Sequence, residues 1–311
     1  MILPQWLQDK VNELYQDLNK KTLVETRESL TNRYKTKTGQ NKSLIESKTD
    51  SMLYAISRMP ATFSVVYTLV KDLVNQKLIC DVESMLDVGS GTGAGYFALK
   101  ELDDSLEIGL VERDRNMVEI FKKLTDGEVD VKLADASSLK AEKTADLVMT
   151  SYVLSEMTED VRIQTFDNLA SASNKYVLVI DTGTPNTYVD MMKLKDHALK
   201  SGWKVVAPCM ADKCPLKDDY CQFYARVERS SLHKLAKGGT LSYEDEKYFY
   251  LLFAKDDIQK LGERVIRRPV IKENNISLVL CTGDGVKTKT FTKKNKEEFK
   301  KAKKAKINEI I

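Results

Sequence analysis

The chain predicts an α/β fold built on a mainly parallel sheet, and three observations predict it. Between residues 84 and 207, short apolar runs alternate with stretches of helical spacing. The first run leads into the glycine-rich turn Gly89-Ser-Gly-Thr-Gly93, where a strand can pass tightly into a helix. The next two runs end near acidic residues, Glu112 and Asp135. The expected organisation is a helical region over 1–80 and a Rossmann-like domain over 81–207. A cysteine loop with a β extension follows over 208–285, and a basic tail over 286–311.

Taken in order, Trp6, Leu7, Val11, Leu14, Tyr15 and Leu18 recur at helical spacing. A second such stretch runs from Tyr54 through Met59-Pro60 to Leu78, and the polar segment Thr36 to Lys48 reads as a loop between them. Ser84–Val88 is the first strand, and Phe97, Leu99 and Leu102 mark the helix after the glycines. Further strands are expected at Leu106–Val111, 129–134, Ala145–Thr150, Tyr176–Ile180 and Trp203–Ala207, with helices near 115–125, 159–173 and 187–201. After Pro208 the alternation breaks. Strand-like runs return at Val265–Val270 and Ile276–Cys281, a turn follows at Gly283-Asp-Gly285, and a Lys-rich helix spans Asn295 to Ile310.

Charge is unevenly spread. The chain carries a formal +3, yet from Lys260 to Ile311 there are 15 Lys and Arg against 6 Asp and Glu, so the remainder is net negative. The basic end is where a polyanion would be held. No apolar run is long enough to span a bilayer, and the first ten residues read neither as a secretory signal nor as a transit peptide. The expectation is a cytoplasmic protein that does not bind membranes. Five cysteines in 311 residues do not make a disulfide framework; in a reducing compartment, clustered thiols point to metal or redox chemistry.

Asp87-Val-Gly-Ser-Gly-Thr-Gly93 resembles the acidic loop of class I S-adenosylmethionine-dependent methyltransferases. Asp87, Gly89, Gly91 and Gly93 would form the cofactor loop, Glu112 would accept the ribose hydroxyls, and Asp135 would meet the adenine amino group. Past the fourth strand, Tyr152, Ser155 and Glu156 are the catalytic candidates, with Glu156 able to act as a base. No Asn/Asp-Pro-Pro-aromatic tetrad accompanies them. His197 and His233 read as surface or structural, and Cys80 as a core residue.

Cys209, Cys214 and Cys221 share one short loop, and Cys281 follows sixty residues later. Four thiolates suit tetrahedral zinc or an iron–sulfur cluster, and the spacing admits both.

Several further motifs resemble one known family. They are Val205-Val-Ala-Pro-Cys209, Cys214-Pro-Leu216, Tyr220-Cys-Gln-Phe223, Arg229-Ser-Ser-Leu-His233, Tyr243-Glu-Asp-Glu-Lys-Tyr248, Arg267-Arg-Pro269 and Leu280-Cys-Thr-Gly-Asp-Gly285. Arg58-Met-Pro-Ala-Thr62 and Gly183-Thr-Pro185 fit as well. Together they resemble the small-ribosomal-subunit methyltransferase-like family, which includes the mitochondrial ribosome assembly methyltransferase-like protein and its bacterial relatives. The resemblance implies an S-adenosylmethionine-binding class I fold and a 4Fe–4S cluster on Cys209, Cys214, Cys221 and Cys281. It also implies association with the small ribosomal subunit and its rRNA, as a monomer off the ribosome. Gln222 and Tyr220 depart from the residues frequent there, and neither change removes a thiol. Two functions are compatible with this resemblance: an rRNA methyltransferase, or a non-catalytic assembly factor that keeps the cofactor pocket. A radical enzyme is ranked last, because the Cys-x3-Cys-x2-Cys pattern of that class is absent.

Overall fold

The computed structural model describes residues 2–16, 20–37, 40–41, 44–140, 143–260 and 262–311. Four helices come first: α1 (Gln5–Gln16), α2 (Lys20–Lys37), α3 (Lys48–Ser57) and α4 (Met59–Asn75). Leu7, Val11 and Leu14 bury the predicted stripe of α1, while Leu18 lies outside the described residues. The polar loop expected from Thr36 to Lys48 is shorter than predicted, since α2 runs to Lys37 and α3 begins at Lys48. Ser47 caps α3 by accepting from the Asp50 amide at 3.1 Å. A buried ion pair, Arg33 to Asp50 at 2.6 Å, ties α2 to α3. Pro60 occupies the first turn of α4, where its missing N–H is harmless.

The alternating segment folds as β1 (Ser84–Val88), α5 (Ala94–Leu102), β2 (Glu107–Glu112), α6 (Arg115–Leu124), β3 (Lys132–Leu133), β4 (Ala145–Ser151), α7 (Glu159–Ala172), β5 (Ser173–Thr182), α8 (Pro185–Lys200) and β6 (Lys204–Ala207). The chain then adds β7 (Phe223–Glu228), α9 (Ser231–Lys237) and β8 (Tyr243–Ala254). The strand order is β3-β2-β1-β4-β5-β8-β6, with β7 also on β8. The pairs among β1 to β5 are parallel, and β8 runs antiparallel between β5 and β6. This is the class I methyltransferase order, with one reversed strand near the far edge. Between β1 and β4 the chain direction of successive crossovers reverses, so a crevice opens at the carboxyl ends of those strands.

The sheet does not stop at residue 207. β8 pairs through Leu252–Ala254 with β6 and through Tyr243–Tyr248 with β7. The cysteine loop, between Ala207 and Phe223, therefore bulges from the point where β8 changes partner.

A smaller antiparallel sheet follows: β9 (Arg264–Val265), β10 (Val270–Ile271), β11 (Asn275–Cys281) and β12 (Val286–Thr292). α10 (Lys296–Lys304) packs on it through Phe299 and Ala302. The Lys-rich helix predicted to reach Ile310 ends six residues early. Instead, the Val265 amide donates to the Glu309 carbonyl at 2.9 Å, and Ile311 and Glu263 exchange backbone hydrogen bonds. The terminal segment is thus docked on the second sheet.

Candidate functional site

The glycine turn leaves β1 with Gly89, Gly91 and Gly93 all at positive φ. A side chain at Gly93, where φ is +88°, would run into the Phe121 ring. Gly93→Ala combines a left-handed backbone with a core clash and should destabilise the protein by about 2–4 kcal/mol, read by urea denaturation. A loss of less than about 0.5 kcal/mol would mean the turn tolerates an ordinary residue there.

Glu112, at the end of β2, is only 7% exposed. Its two carboxylate oxygens divide the work. Oε2 accepts from the Gly91 amide at 2.8 Å, and Oε1 accepts from the amides of Arg113 at 2.7 Å and Asp114 at 2.8 Å. Burial raises its pKa and these three donors oppose the rise. Asp135 accepts from the amide and hydroxyl of Ser137 at 2.8 and 2.7 Å and pairs with Arg113 at 3.3 Å. Of the six residues expected at the cofactor, Gly89, Gly91, Glu112 and Asp135 line one cleft. Asp87 lies behind the loop. Both its carboxyl oxygens are buried without a hydrogen-bond partner, a side chain on Gly95 would strike one of them, and burial pushes its pKa up to about 7.

The cleft encloses about 90 Å³. A nucleoside ligand needs several times that space. Asn41 forms part of the wall; its amide donates to the Glu156 carbonyl at 3.1 Å, and its side chain exchanges hydrogen bonds with Thr158 at 2.9 and 3.0 Å. Sequence reasoning missed Asn41 and Arg113, for neither carries a local pattern that marks it.

Tyr152, Ser155 and Glu156 line a larger neighbouring chamber of about 950 Å³. Tyr54, Tyr152, Glu156 and Met157 belong to both walls, so the two spaces meet there. Tyr152 has φ +59° at the carboxyl end of β4, a sparsely populated conformation for a tyrosine. Ser155 donates its amide to Asp181 Oδ2 at 2.9 Å. Glu156 faces Arg113 at 3.8 Å, and burial outweighs that cation, lifting its pKa to about 8.

Asp87 and Glu156 bind protons more tightly folded than unfolded. Their contribution to stability is complete below about pH 4 and is lost as pH rises through about 7 for Asp87 and about 8 for Glu156. The ligand-free melting temperature should therefore fall between about pH 5 and pH 8, and Asp87→Asn should flatten the fall. The same slope in the variant would remove Asp87 from the explanation.

The four predicted cysteines converge. Cys209 and Cys281 lie within electrostatic reach of one another and of Cys214, and Cys221 within reach of all three. None is in a disulfide. Burial raises the pKa of Cys209 to about 11, and that of Cys221 and Cys281 upward as well. The Tyr188 hydroxyl lies 2.9 Å from Cys214 Sγ. Even so, among the described residues no group of three or more His, Cys, Asp or Glu side chains is closed to metal-binding distances.

The surroundings of the thiols are unusual. Lys195 is 2% exposed and Arg264 fully buried, and among the described residues neither makes a salt bridge. Lys195 Nζ donates to the Asp212 carbonyl at 2.5 Å. Arg264 donates to the Asn308 carbonyl at 2.7 Å, but its Nε and one terminal nitrogen are buried without a partner. Both cations act on Cys281, which pairs with Arg264 across β11 and β9. A buried unpaired cation is expensive. An anionic centre on the four sulfurs would supply the missing counter-charge, so the donor chemistry fits such a centre.

Two other expectations resolve simply. Cys80 is exposed rather than in the core. His233 is 2% exposed, with burial lowering its pKa to about 4, and His197 sits 2.7 Å from Asp167.

The family model described as "Mitochondrial small ribosomal subunit Rsm22" matches residues 48–309. The chain belongs to the Rsm22 family. The match takes in the glycine loop, all four clustered cysteines and most of the basic tail, and it leaves α1 and α2 outside. Three solved structures show how far similarity extends beyond the Rsm22 family. A candidate RNA methyltransferase, PH1948 from Pyrococcus horikoshii, is 15% identical with a TM-score of 0.38, covering 74% of this chain and 98% of its own. Magnesium protoporphyrin IX methyltransferase from Synechocystis PCC 6803, with bound S-adenosylmethionine, is 13% identical with a TM-score of 0.43, covering 77% and 98%. The plantazolicin methyltransferase BpumL, bound to S-adenosylhomocysteine, is 12% identical with a TM-score of 0.42, covering 80% and 99%. Among curated proteins, none matches.

Proposed function

We propose that this Rsm22-family protein binds S-adenosylmethionine at the glycine loop and methylates rRNA of the small ribosomal subunit in the cytoplasm. The observation that carries the reading is the meeting of two spaces at Tyr152 and Glu156, one walled by Glu112 and the glycine loop and the other large enough for an acceptor. S-adenosylmethionine would supply a methyl group on a sulfonium, whose positive charge suits a site backed by two buried carboxyls, Asp87 and Glu112. Glu112 would hold the ribose while bracing the loop. Tyr152 would border the acceptor, and Glu156, once ionised, would take any proton the acceptor nitrogen or oxygen releases. Cys209, Cys214, Cys221 and Cys281 would hold a 4Fe–4S cluster, whose net negative charge offsets Lys195 and Arg264. Zinc on four thiolates is the alternative occupant.

One observation favours the non-catalytic assembly factor. With a pKa near 8, Glu156 holds its proton at neutral pH while the site is empty, so no ready base faces the acceptor. The test is incubation of anaerobically purified protein with methyl-labelled S-adenosylmethionine and small ribosomal subunits. Label in the rRNA is expected. Tight cofactor binding without label in RNA would leave the assembly role.

A further inference from the structure

We propose that the large chamber seats a single unstacked nucleotide, with its base against Tyr54 and Tyr152 and its phosphate clamped where α2 meets the end of α9. The proposal rests on the reading that the adjoining cleft is the cofactor site, and it adds what the acceptor is and what grips it. Arg27, Leu30, Thr31 and Tyr34 fall at positions i, i+3, i+4 and i+7 of α2, so one helical face forms the chamber's roof. That roof lies outside the residues the family model matches.

The positive charge is gathered at one end. The Arg27 guanidinium abuts Gly238 and that of Arg229 abuts Gly239, which puts both beside Lys237. Arg229 and Lys237 share the single carboxylate of Glu244, and Arg58 takes Glu246 at 2.9 Å. Among the described residues, the ion pair of Arg27 is a loose one of 4.0 Å with exposed Glu28. His233, beneath this group, stays neutral and adds no charge. At this end Arg27, Arg58, Arg229 and Lys237 meet Glu244 and Glu246, while the chamber's own carboxylates, Glu156, Glu159 and Asp190, pair with Arg113, Lys193 and Arg162. Arg229 Nε is also buried with no partner, a donor left over for a ligand.

The other end is aromatic. Arg58 lies 5.6 Å from the Tyr152 ring centre, linking the ring to the cationic group, and the Tyr152 hydroxyl is buried without a partner. A base stacked on such rings gains about 1–3 kcal/mol. Between the two ends the walls include the hydroxyls of Thr182 and Thr187 and the amide of Asn186. Leu30, Leu53, Met157 and Ala236 add apolar surface to the chamber, and the polar groups beside it offer a sugar hydrogen-bond partners. The volume accommodates one nucleotide and not a duplex, so an RNA acceptor would be extruded from its stack.

The test is equilibrium dialysis of the full chain saturated with S-adenosylhomocysteine, against nucleosides and their 5′-monophosphates. A monophosphate should bind about tenfold more tightly than its nucleoside, the effect of one charge-assisted contact. Arg27→Gln should erase that preference. Thr31→Trp, from an exposed position on the roof, should block both ligands while S-adenosylhomocysteine affinity stays unchanged. Equal binding of nucleoside and monophosphate, or a preference that survives Arg27→Gln, overturns the proposal. So does uptake of an acidic tripeptide in place of nucleotides, which would mean a protein acceptor. Failure of the unaltered protein to bind S-adenosylhomocysteine strikes instead at the cofactor reading.

Discussion

Glu112→Ala should weaken S-adenosylmethionine binding by about a hundredfold or more. The carboxylate has two tasks. It is placed to accept from a bound ribose, and it already accepts from the amides of Gly91, Arg113 and Asp114 at 2.7–2.8 Å. Removing it strands three backbone donors in a site where water is scarce and frees the turn that must approach the ligand. Each lost hydrogen bond to a charged group is worth about 1.5–3 kcal/mol. Glu112→Gln is nearly as damaging by the same logic. One end of the amide is itself a donor, and backbone N–H groups point at both ends of the present carboxylate. Calorimetric titration with S-adenosylhomocysteine reads the effect directly. A dissociation constant unchanged in both variants would remove the ribose and loop roles together. A melting temperature lowered in the absence of ligand would show how much of the loss is the loop's own.

What the sequence reveals and what it hides follows from how local each signal is. The helices and strands from residue 84 to 207 repeat a period within a few residues, so β1, β2, β4 and β5 are legible, as are the glycines and Glu112 that sit at their ends. The strand β8 is not. Its first half, Tyr-Glu-Asp-Glu-Lys, is charged because β7 covers only an edge there, and its buried half begins at Tyr248. The partner that makes it a strand, β5, lies some seventy residues earlier, and nothing local announces the pairing. Likewise α2 shows no clean apolar stripe; Arg33 with Asp50 holds it. Asn41, Arg27 and Arg58 reach the site from three separate segments, so their convergence exists only in the fold. Cys209, Cys214 and Cys221 stand out in the sequence because they are close neighbours in it. The buried cations facing them do not, because Lys195 sits in a helix that otherwise reads as amphipathic and Arg264 in a two-residue strand.

Cys281→Ser is expected to strip iron and sulfide from anaerobically purified protein and to lower its stability by several kcal/mol. The argument starts from charge. Lys195 and Arg264 are buried, and among the described residues no carboxylate pairs with either. Neutral thiols cannot balance them, whereas a bound metal would keep the sulfurs as thiolates and bring the counter-charge to the cations. Cys281 is the distant member of the set and stands at the end of β11, while Cys209 and Cys221 bracket the loop between β6 and β7. A metal centre shared by the four would therefore pin the second sheet to the edge of the first, and serine at 281 would release that tie as well as a ligand. Cys80→Ser is the control, since that thiol is exposed and apart from the group. Arg264→Met separates the two contributions: it keeps the thiols but withdraws a cation, so it should shift the reduction potential of the centre downward while iron stays bound. One equivalent of zinc with no sulfide would replace the cluster with the four-thiolate alternative. Full iron and sulfide in Cys281→Ser would mean that the fourth ligand comes from elsewhere.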